Sequence, residues 1–342
     1  MTPTNRAAWI KAAKDGVMQV GTAPYPTIAA NELVIKTKAI AFNPVDSGIQ
    51  KQGILIDKYP AILGCDVAGI VEEVGDDLIS RFTVGDHVLG ASTPLKNDYK
   101  YSGFQEHVVL ATPAVCKLPE DVEFKDACVL PLGVMTAASC MYDPSGLALE
   151  MPPTVAGKGK TLIVWGASAS VGACGVQLAI AAGYEVYGVA SRKNHGSIKA
   201  LGVSECFDQN DDGIVNELVA KLKDKEVVGA YDAIWSDESL HKLCDVLHAS
   251  KGRKVIAAVY PGAEANARRG VKITTNFVAV ENMKKDGSLE HVWATYLESA
   301  LKAGEFQYKP NAEVVGHGLE SIQKATDMIG AGVSAKKLVV TL

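Results

Sequence analysis

The sequence has no block of like charges. Its 34 lysines and arginines and its 39 aspartates and glutamates are interspersed along the chain, and the net charge is −5. Nucleic acids and anionic membranes are bound by clustered cations, which are missing here. We therefore expect a protein with no nucleic-acid partner and no membrane partner.

Closely spaced cysteines are also missing. The chain has no C-x-x-C motif, and its cysteines are scattered: Cys65, Cys116, Cys128, Cys140, Cys174, Cys206 and Cys244. This distribution is typical of reduced thiols in an intracellular protein. Because the first sixteen residues hold no apolar run of signal-peptide length, we expect a cytoplasmic location.

One uncharged segment, residues 161–184, is long enough to cross a bilayer. Four glycines, two serines and a glutamine interrupt it, which favours a buried strand, a tight turn and a helix over a membrane span. With 342 residues, 48% of them hydrophobic, the chain is long enough for about two globular domains.

The first third of the chain contains short β-like runs separated by turn residues. These runs are residues 33–41, 67–75, 86–91 and 107–111. Glycine and Asn-Pro signals between them predict an antiparallel, barrel-like β region.

The pattern changes after Pro119 to apolar strands that alternate with helical stretches. The predicted strands are residues 161–165, 185–190, 205–208, 231–235, 254–259 and 271–277. Six such strands with intervening helices predict an α/β domain with a doubly wound parallel sheet.

The end of the chain predicts helices near 287–303 and 319–329 and a final strand. No helix follows that strand to cover a parallel sheet, so we expect it to return to the first β region. The nucleotide-binding domain, residues 127–303, would then be inserted into a β domain made of residues 1–126 and 304–342.

A glycine-containing turn joins the first two strands of the predicted parallel sheet. It consists of Gly166, Ala167, Ser168, Ala169, Ser170, Val171 and Gly172. The three glycine positions of a G-x-G-x-x-G motif fall here on Ala167, Ala169 and Gly172, and Gly166 comes just before them. The flanking strand and helix are the context that a dinucleotide-binding turn requires, so these seven residues are predicted to bind the cofactor pyrophosphate. The alternative is a small-residue turn that only packs the helix on the sheet.

The residues that follow the second strand bear on the choice of cofactor. An NAD site has an acidic residue there to bind the ribose 2′-hydroxyl. This sequence has Ser191, Arg192 and Lys193 instead, and two phosphate contacts would favour NADP(H) by about 10²-fold or more. The alternative is a solvated basic loop.

Motifs along nearly the whole chain resemble the zinc-independent branch of the medium-chain dehydrogenase/reductase superfamily. They are residues 43–46 (NPVD), 62–69 (ILGCDVAG), 84–88 (VGDHV), 103–106 (GFQE), 130–137 (LPLGVMTA), 166–172 (GASASVG) and 336–340 (KKLVV). Within that branch the sequence is similar to quinone oxidoreductases and to fungal trans-acting enoyl reductases. The resemblance implies a GroES-like, β-barrel-type catalytic domain joined to a Rossmann NADP-binding domain.

The resemblance also implies that no zinc is bound. Zinc members of the superfamily place metal ligands at positions that match Asn43, Cys65 and the region 132–133. These positions offer one thiolate where at least three protein ligands are needed. The four cysteines of the structural zinc lobe are missing between residues 85 and 120.

Without a Lewis acid, hydride transfer is easiest to an acceptor that delocalises the incoming charge. The resemblance therefore implies NADPH-dependent reduction of an α,β-unsaturated carbonyl compound, such as an enone or an enoyl thioester carried by a carrier protein or a polyketide synthase. The alternatives are an NADPH:quinone oxidoreductase and a non-catalytic NADPH-binding sensor. A monomer and a homodimer stay open, because strand 271–277 could pair across a dimer or remain solvated.

Three residues are candidates for catalysis. Asn43 is expected to donate its amide to the substrate oxygen, or else to form an Asx turn before Pro44. Asp46 is expected to bind the nicotinamide ribose, or else to cap a helix. Tyr59 is a candidate proton donor, because Gly48 stands where many fungal enoyl reductases have a lysine; the alternative is a packing aromatic.

Two further residues are implied to contact the cofactor. Thr136 is expected to pack against the nicotinamide, or else to be a helix N-cap. Lys337 matches a family lysine that reaches the cofactor, or else it is an exposed lysine on an edge strand.

Overall fold

The computed structural model describes residues 4–96, 98–234, 236–275 and 280–342. The chain forms two compact units: unit 1 is Met1–Leu132 with Trp293–Leu342, and unit 2 is Gly133–Val292. The sequence placed the domain limits after residues 126 and 303. A limit after residue 126 would fall inside a helix, Phe124–Ala127.

The first part of unit 1 consists of β1 Asn5–Ile10, β2 Gln19–Ala23, β3 Glu32–Ala41, α1 Pro44–Gln52, β4 Ala61–Ile62, β5 Asp66–Val74, β6 His87–Ala91, β7 His107–Ala111, β8 Val115–Lys117 and α2 Phe124–Ala127. The chain continues with α3 Pro131–Tyr142, β9 Lys160–Trp165, α4 Ser170–Ala181, β10 Glu185–Ala190, α5 His195–Ala200, β11 Glu205–Asp208, α6 Ile214–Leu222, β12 Glu226–Asp232, α7 Asp237–Ala249, β13 Val255–Ala258, β14 Lys272–Thr275, α8 Val280–Lys285 and α9 Ser288–Glu290. The last segment consists of a π-helical stretch His291–Leu297, α10 Glu298–Ala303, β15 Ala312–His317, α11 Ile322–Gly330 and β16 Lys337–Thr341.

The main sheet of unit 1 has the order β15-β16-β3-β5-β6-β8 in the described residues, and β7 pairs with β3. All of these pairs are antiparallel except β15 with β16. The predicted antiparallel β region is therefore confirmed, and so is the return of the last strand, because β16 pairs with β3. The apolar core includes Leu33, Ile40 and Phe42, all completely buried. Burial of such side chains provides most of the stabilisation of a small β domain.

The sheet of unit 2 has the order β11-β10-β9-β12-β13-β14, and all of its pairs are parallel. This is the order of a dinucleotide-binding Rossmann fold, with the crossover point between β9 and β12. Strand β12 starts earlier than the predicted 231–235, at Glu226, and its pairing with β9 has an irregularity between Val227 and Gly229. Residues 235, 276 and 277 of two predicted strands lie outside the described residues.

The uncharged segment 161–184 forms β9, a turn and α4, as predicted. One other stretch, Phe124–Tyr142, has the length and composition of a membrane span. Of its most apolar window, 78% is buried inside the protein, as is usual for a core helix.

Candidate active site

The chain turns sharply after β9 at Gly166. Its φ of +76° lies in the left-handed region, and its backbone N–H donates to the Val189 carbonyl at 2.9 Å. A Cβ at this position would lie 2.3 Å from Cγ1 of Ile234. The turn therefore requires glycine at 166, the residue that precedes the predicted motif positions.

Helix α4 starts directly after this turn, with Ala169 as its N-cap residue and Ser170 as its first residue. A Cβ on Gly172 would lie 2.1 Å from the carbonyl oxygen of Gly166, so the helix packs directly on the turn. The first amides of a helix have no partner within it, and together they form a site for an anion. Ala167 is completely buried, and its N–H donates to Val189.

The loop after β10 lies next to this turn, because the amide nitrogen of Asn194 donates to Oγ of Ser168 at 3.2 Å. Arg192 is 78% exposed in its side chain and pairs with Asp208, with Nε 3.3 Å from Oδ2. Lys193 is exposed as well. Two cations and the Ser191 hydroxyl thus follow β10 with no acidic residue among them. These residues fit a dinucleotide that carries an additional phosphate on its adenosine ribose.

Thr136 lies in the middle of α3, which begins at Pro131. The alternative that it is an N-cap is therefore wrong, since an N-cap residue precedes the first turn of its helix. Its side chain is 7% exposed, and its carbonyl accepts a hydrogen bond from Oγ of Ser139.

Unit 1 contains a buried polar cluster of Asn43, Asp46, Asp66 and Lys337. Nζ of Lys337 lies 2.6 Å from Oδ1 of Asn43 and 2.8 Å from Oδ2 of Asp66. The amide nitrogen of Asn43 donates to the same Asp66 oxygen at 2.7 Å. The fold thus brings together two predicted site residues that are 294 positions apart in the sequence.

Asp66 is not among the predicted site residues, yet it is the centre of this cluster. It is completely buried, and its Oδ1 accepts the backbone N–H of Leu132 at 2.5 Å. The signal in the sequence is that Asp66 is the one charged residue in the run 61–71. A carboxylate in such a run must find a buried partner.

Lys337 lies on β16, which has β15 on one side and β3 on the other. Its side chain is 2% exposed. The alternative of an exposed edge-strand lysine is therefore wrong, because β15 covers the edge of β16 and local sequence patterns do not predict that pairing. Asn43 is also the N-cap residue of α1 and forms a capping box with Asp46, so a local role before Pro44 coexists with its amide contacts to Asp66 and Lys337.

Asp46 is completely buried in the first turn of α1. Its Oδ2 accepts the backbone N–H of Asn43 at 2.8 Å, whereas Oδ1 has no partner among the described residues. Burial, with a smaller effect of the neighbouring Asp66, raises the pKa of Asp46 from 3.8 to about 7. Asp46 therefore accepts a hydrogen bond at the start of α1, and its carboxyl group gains or loses a proton near neutral pH.

Tyr59 packs against the apolar core of unit 1. Its hydroxyl is buried and has no hydrogen-bond partner in the described part of the chain. The contacts of Tyr59 are those of a packing aromatic.

The residues at the zinc-ligand positions do not fit a catalytic zinc. The Asn43 oxygen is bonded to an ammonium group, and Cys65 is the one thiol at these positions, whereas a catalytic zinc needs three protein ligands. Across residues 4–96, 98–234, 236–275 and 280–342, no group of three His, Cys, Asp or Glu side chains is placed to hold a metal ion.

Unit 2 thus has the sheet order and the glycine turn of a dinucleotide-binding fold, and unit 1 has an antiparallel β sheet. The alcohol dehydrogenase GroES-like domain family matches residues 29–120. The sequence is 38% identical to dehydrogenase pigH of Monascus ruber, over 99% of this chain and 100% of that protein. It is 33% identical to trans-enoyl reductase himH of Aspergillus japonicus, over 99% and 97% of the two chains.

Two solved structures share the fold. The CurK enoyl reductase has a TM-score of 0.75 at 18% identity, with 99% of both chains covered. The quinone oxidoreductase of Pseudomonas syringae has a TM-score of 0.73 at 20% identity, with 98% of this chain and 99% of that chain covered. The chain belongs to the medium-chain dehydrogenase/reductase family and is an oxidoreductase. The expected fold class is thereby confirmed.

Proposed function

We propose that the protein is an NADPH-dependent, metal-free reductase of α,β-unsaturated carbonyl compounds. The observation that carries the proposal is the phosphate turn at Gly166, linked through Ser168 and Asn194 to a basic loop with no acidic residue. The similarity to proteins named trans-enoyl reductases supports the same reaction class.

The residues that would hold the dinucleotide have separate tasks. Gly166, Gly172 and the first amides of α4 would bind the pyrophosphate. Arg192 and Lys193 would bind the additional phosphate, with the Ser191 hydroxyl as a further donor. When bound, NADPH supplies a hydride to the β-carbon of the substrate, and the α-carbon takes up a proton.

The buried cluster of unit 1 supports the metal-free part of the proposal, because Asn43, at a zinc-ligand position, is bonded to Lys337 and Asp66. Reduction of a simple ketone builds an alkoxide, which needs a Lewis acid or a strong proton donor. Conjugate addition of hydride gives an enolate, whose charge is spread over the conjugated system and can be stabilised by an amide donor such as Asn43. Solvent can then protonate the α-carbon.

The proposed substrate is a small molecule, and an enoyl thioester carried by a carrier protein or a polyketide synthase is the biosynthetic form. We also propose a cytoplasmic location, supported by the reduced cysteines. Fractionation of producing cells tests the location, and enrichment in the membrane or secreted fraction would contradict it.

The purified protein is tested with NADPH and NADH against enones, enoyl thioesters, quinones and simple ketones. We expect turnover of the first two classes with NADPH, unchanged after treatment with a chelator. Turnover of quinones alone would contradict the proposal and identify the protein as a quinone reductase. Tight NADPH binding without any turnover would make the protein a sensor.

The cofactor assignment has its own test. The Arg192→Ala/Lys193→Ala variant is expected to raise KM for NADPH about tenfold to a hundredfold and to leave KM for NADH unchanged, because only NADPH carries the phosphate. Lys199→Ala is the matched control, since Lys199 is an exposed lysine in α5 of the same unit. An equal effect on both cofactors would refute the assignment.

A further inference from the structure

The ion pair between Lys337 and Asp66 is completely enclosed in unit 1. The exposed fractions of the two side chains are 2% and 0%. Buried pairs of this kind contribute little to stability, because the loss of hydration offsets the attraction between the charges. Replacing a buried ion pair by apolar residues of similar volume is often neutral or stabilising, so stability alone does not account for this one.

The contacts of Asp66 fix its carboxylate in one orientation. Oδ1 accepts the backbone N–H of Leu132, whereas Oδ2 accepts from both Lys337 and Asn43. Rotation of the carboxylate would break three charge-assisted hydrogen bonds at once, and such bonds are about twice as strong as neutral ones.

The same network fixes the amide of Asn43. Its oxygen faces the ammonium group of Lys337 and its nitrogen faces the carboxylate of Asp66. A flipped amide would place N–H groups against the ammonium and an oxygen against the carboxylate, which is unfavourable on both sides. Because an amide nitrogen carries two N–H groups and Asp66 takes one, the direction of the second N–H is determined.

We propose that Lys337 and Asp66 are positioning residues that orient the second N–H of Asn43 toward the carbonyl oxygen of the substrate. This proposal rests on the proposed reduction of an α,β-unsaturated carbonyl compound. Lys337 places a fixed positive charge beside the amide oxygen of Asn43, and this charge acts on the substrate only through Asn43. The amide then stabilises the negative charge that develops on the oxygen during hydride transfer.

The first test compares kcat in four proteins: the wild type, Asn43→Ala, the double variant Asp66→Asn/Lys337→Met and the triple variant that combines them. The double variant removes both charges, because Lys337→Met alone would leave a buried, unpaired carboxylate and destabilise the fold. Lys336→Met is the matched control, since Lys336 is the neighbouring lysine but is 58% exposed and pairs with Glu313.

We expect Asn43→Ala and the double variant each to lower kcat about a hundredfold, the effect of removing one oxyanion donor. The triple variant should be no slower than either, because all three changes remove the same interaction. KM for NADPH should stay within about twofold, and Lys336→Met should match the wild type. A double variant with wild-type kcat, or a triple variant whose losses multiply, would overturn the proposal.

The second test does not depend on activity and therefore separates this proposal from the proposed function. The side-chain amide signals of Asn43 are followed by NMR on protein with labelled asparagine, and Asn43→Ala gives their assignment. In the wild type we expect two separate N–H signals that exchange slowly with solvent. In the double variant, exchange should be at least tenfold faster. Unchanged exchange would show that Lys337 and Asp66 do not hold the amide, whatever reaction the wild type catalyses.

Discussion

The buried carboxyl group of Asp46 makes the stability of the protein depend on pH. The Asp46→Asn variant keeps an acceptor for the backbone N–H of Asn43 and removes the possibility of a negative charge. Burial raises the pKa of Asp46, and the backbone N–H of Asn43 and the positive charge of Lys337, which lower it, offset only part of that effect. The variant therefore isolates the effect of the charge.

The sign and size of the effect follow from the pKa. In the folded protein the pKa of Asp46 is raised from 3.8 to about 7. The folded state thus binds the proton more tightly than the unfolded state, and the wild type loses stability as the pH rises from about 4 to about 7. Between pH 5.5 and pH 8 the loss attributable to this group is about 2 kcal/mol, at about 1.4 kcal/mol for each pH unit below the folded pKa.

The assay is urea unfolding of the wild type and Asp46→Asn at several pH values between 5.5 and 8. We expect the unfolding free energy of the variant relative to the wild type to increase by about 2 kcal/mol across this range. Asp57→Asn, at an exposed position of unit 1, is the control and should show no such increase. A difference between Asp46→Asn and the wild type that does not vary with pH would refute the reasoning.

Three further changes test other parts of the structure. Gly172→Ala should destabilise the protein by about 1–3 kcal/mol and weaken NADPH binding in a titration, because its Cβ would lie 2.1 Å from a carbonyl oxygen; Gly196→Ala, with open space around its Cβ, should do neither. Tyr59→Phe should leave the melting temperature and kcat unchanged, because the lost hydroxyl has no partner in the described residues, and a large fall in kcat would instead identify a proton donor. A thiol reagent should modify Cys206 before any other cysteine, as mass spectrometry can show, because the other six are buried; early modification of Cys65 would contradict its burial.

The order of elements in unit 2 could be predicted because each strand is a short apolar run bounded by a glycine turn or a helix. The start of β12 could not be predicted, since it depends on pairing with β9, which continues back to Glu226 across an irregularity at Gly229. The position of Thr136 within α3 was also missed. The N-cap alternative would start the helix after Thr136, whereas α3 begins at Pro131.

The candidate site was only partly predictable. Asn43 and Lys337 lie in recognisable motifs, but the sequence analysis assigned them separate roles. Local patterns contain no information about a partner 294 positions away. Asp66 was missed for the same reason: its function depends on a lysine in the last strand and on the backbone of Leu132. The phosphate turn was predictable because all of its parts are close in sequence.

The position of β16 between β3 and β15 has a consequence for how the protein is made. A ribosome releases Asp66 long before Lys337, so the nascent unit 1 holds an acidic group without its counter-charge and an uncovered edge on β3 until residues 337–341 are synthesised. Unit 2, a single continuous segment, can finish folding earlier. A stop codon just before residue 337 would therefore leave a product in which β3 has no β16 to pair with, and such a product would be a target for chaperones and proteases.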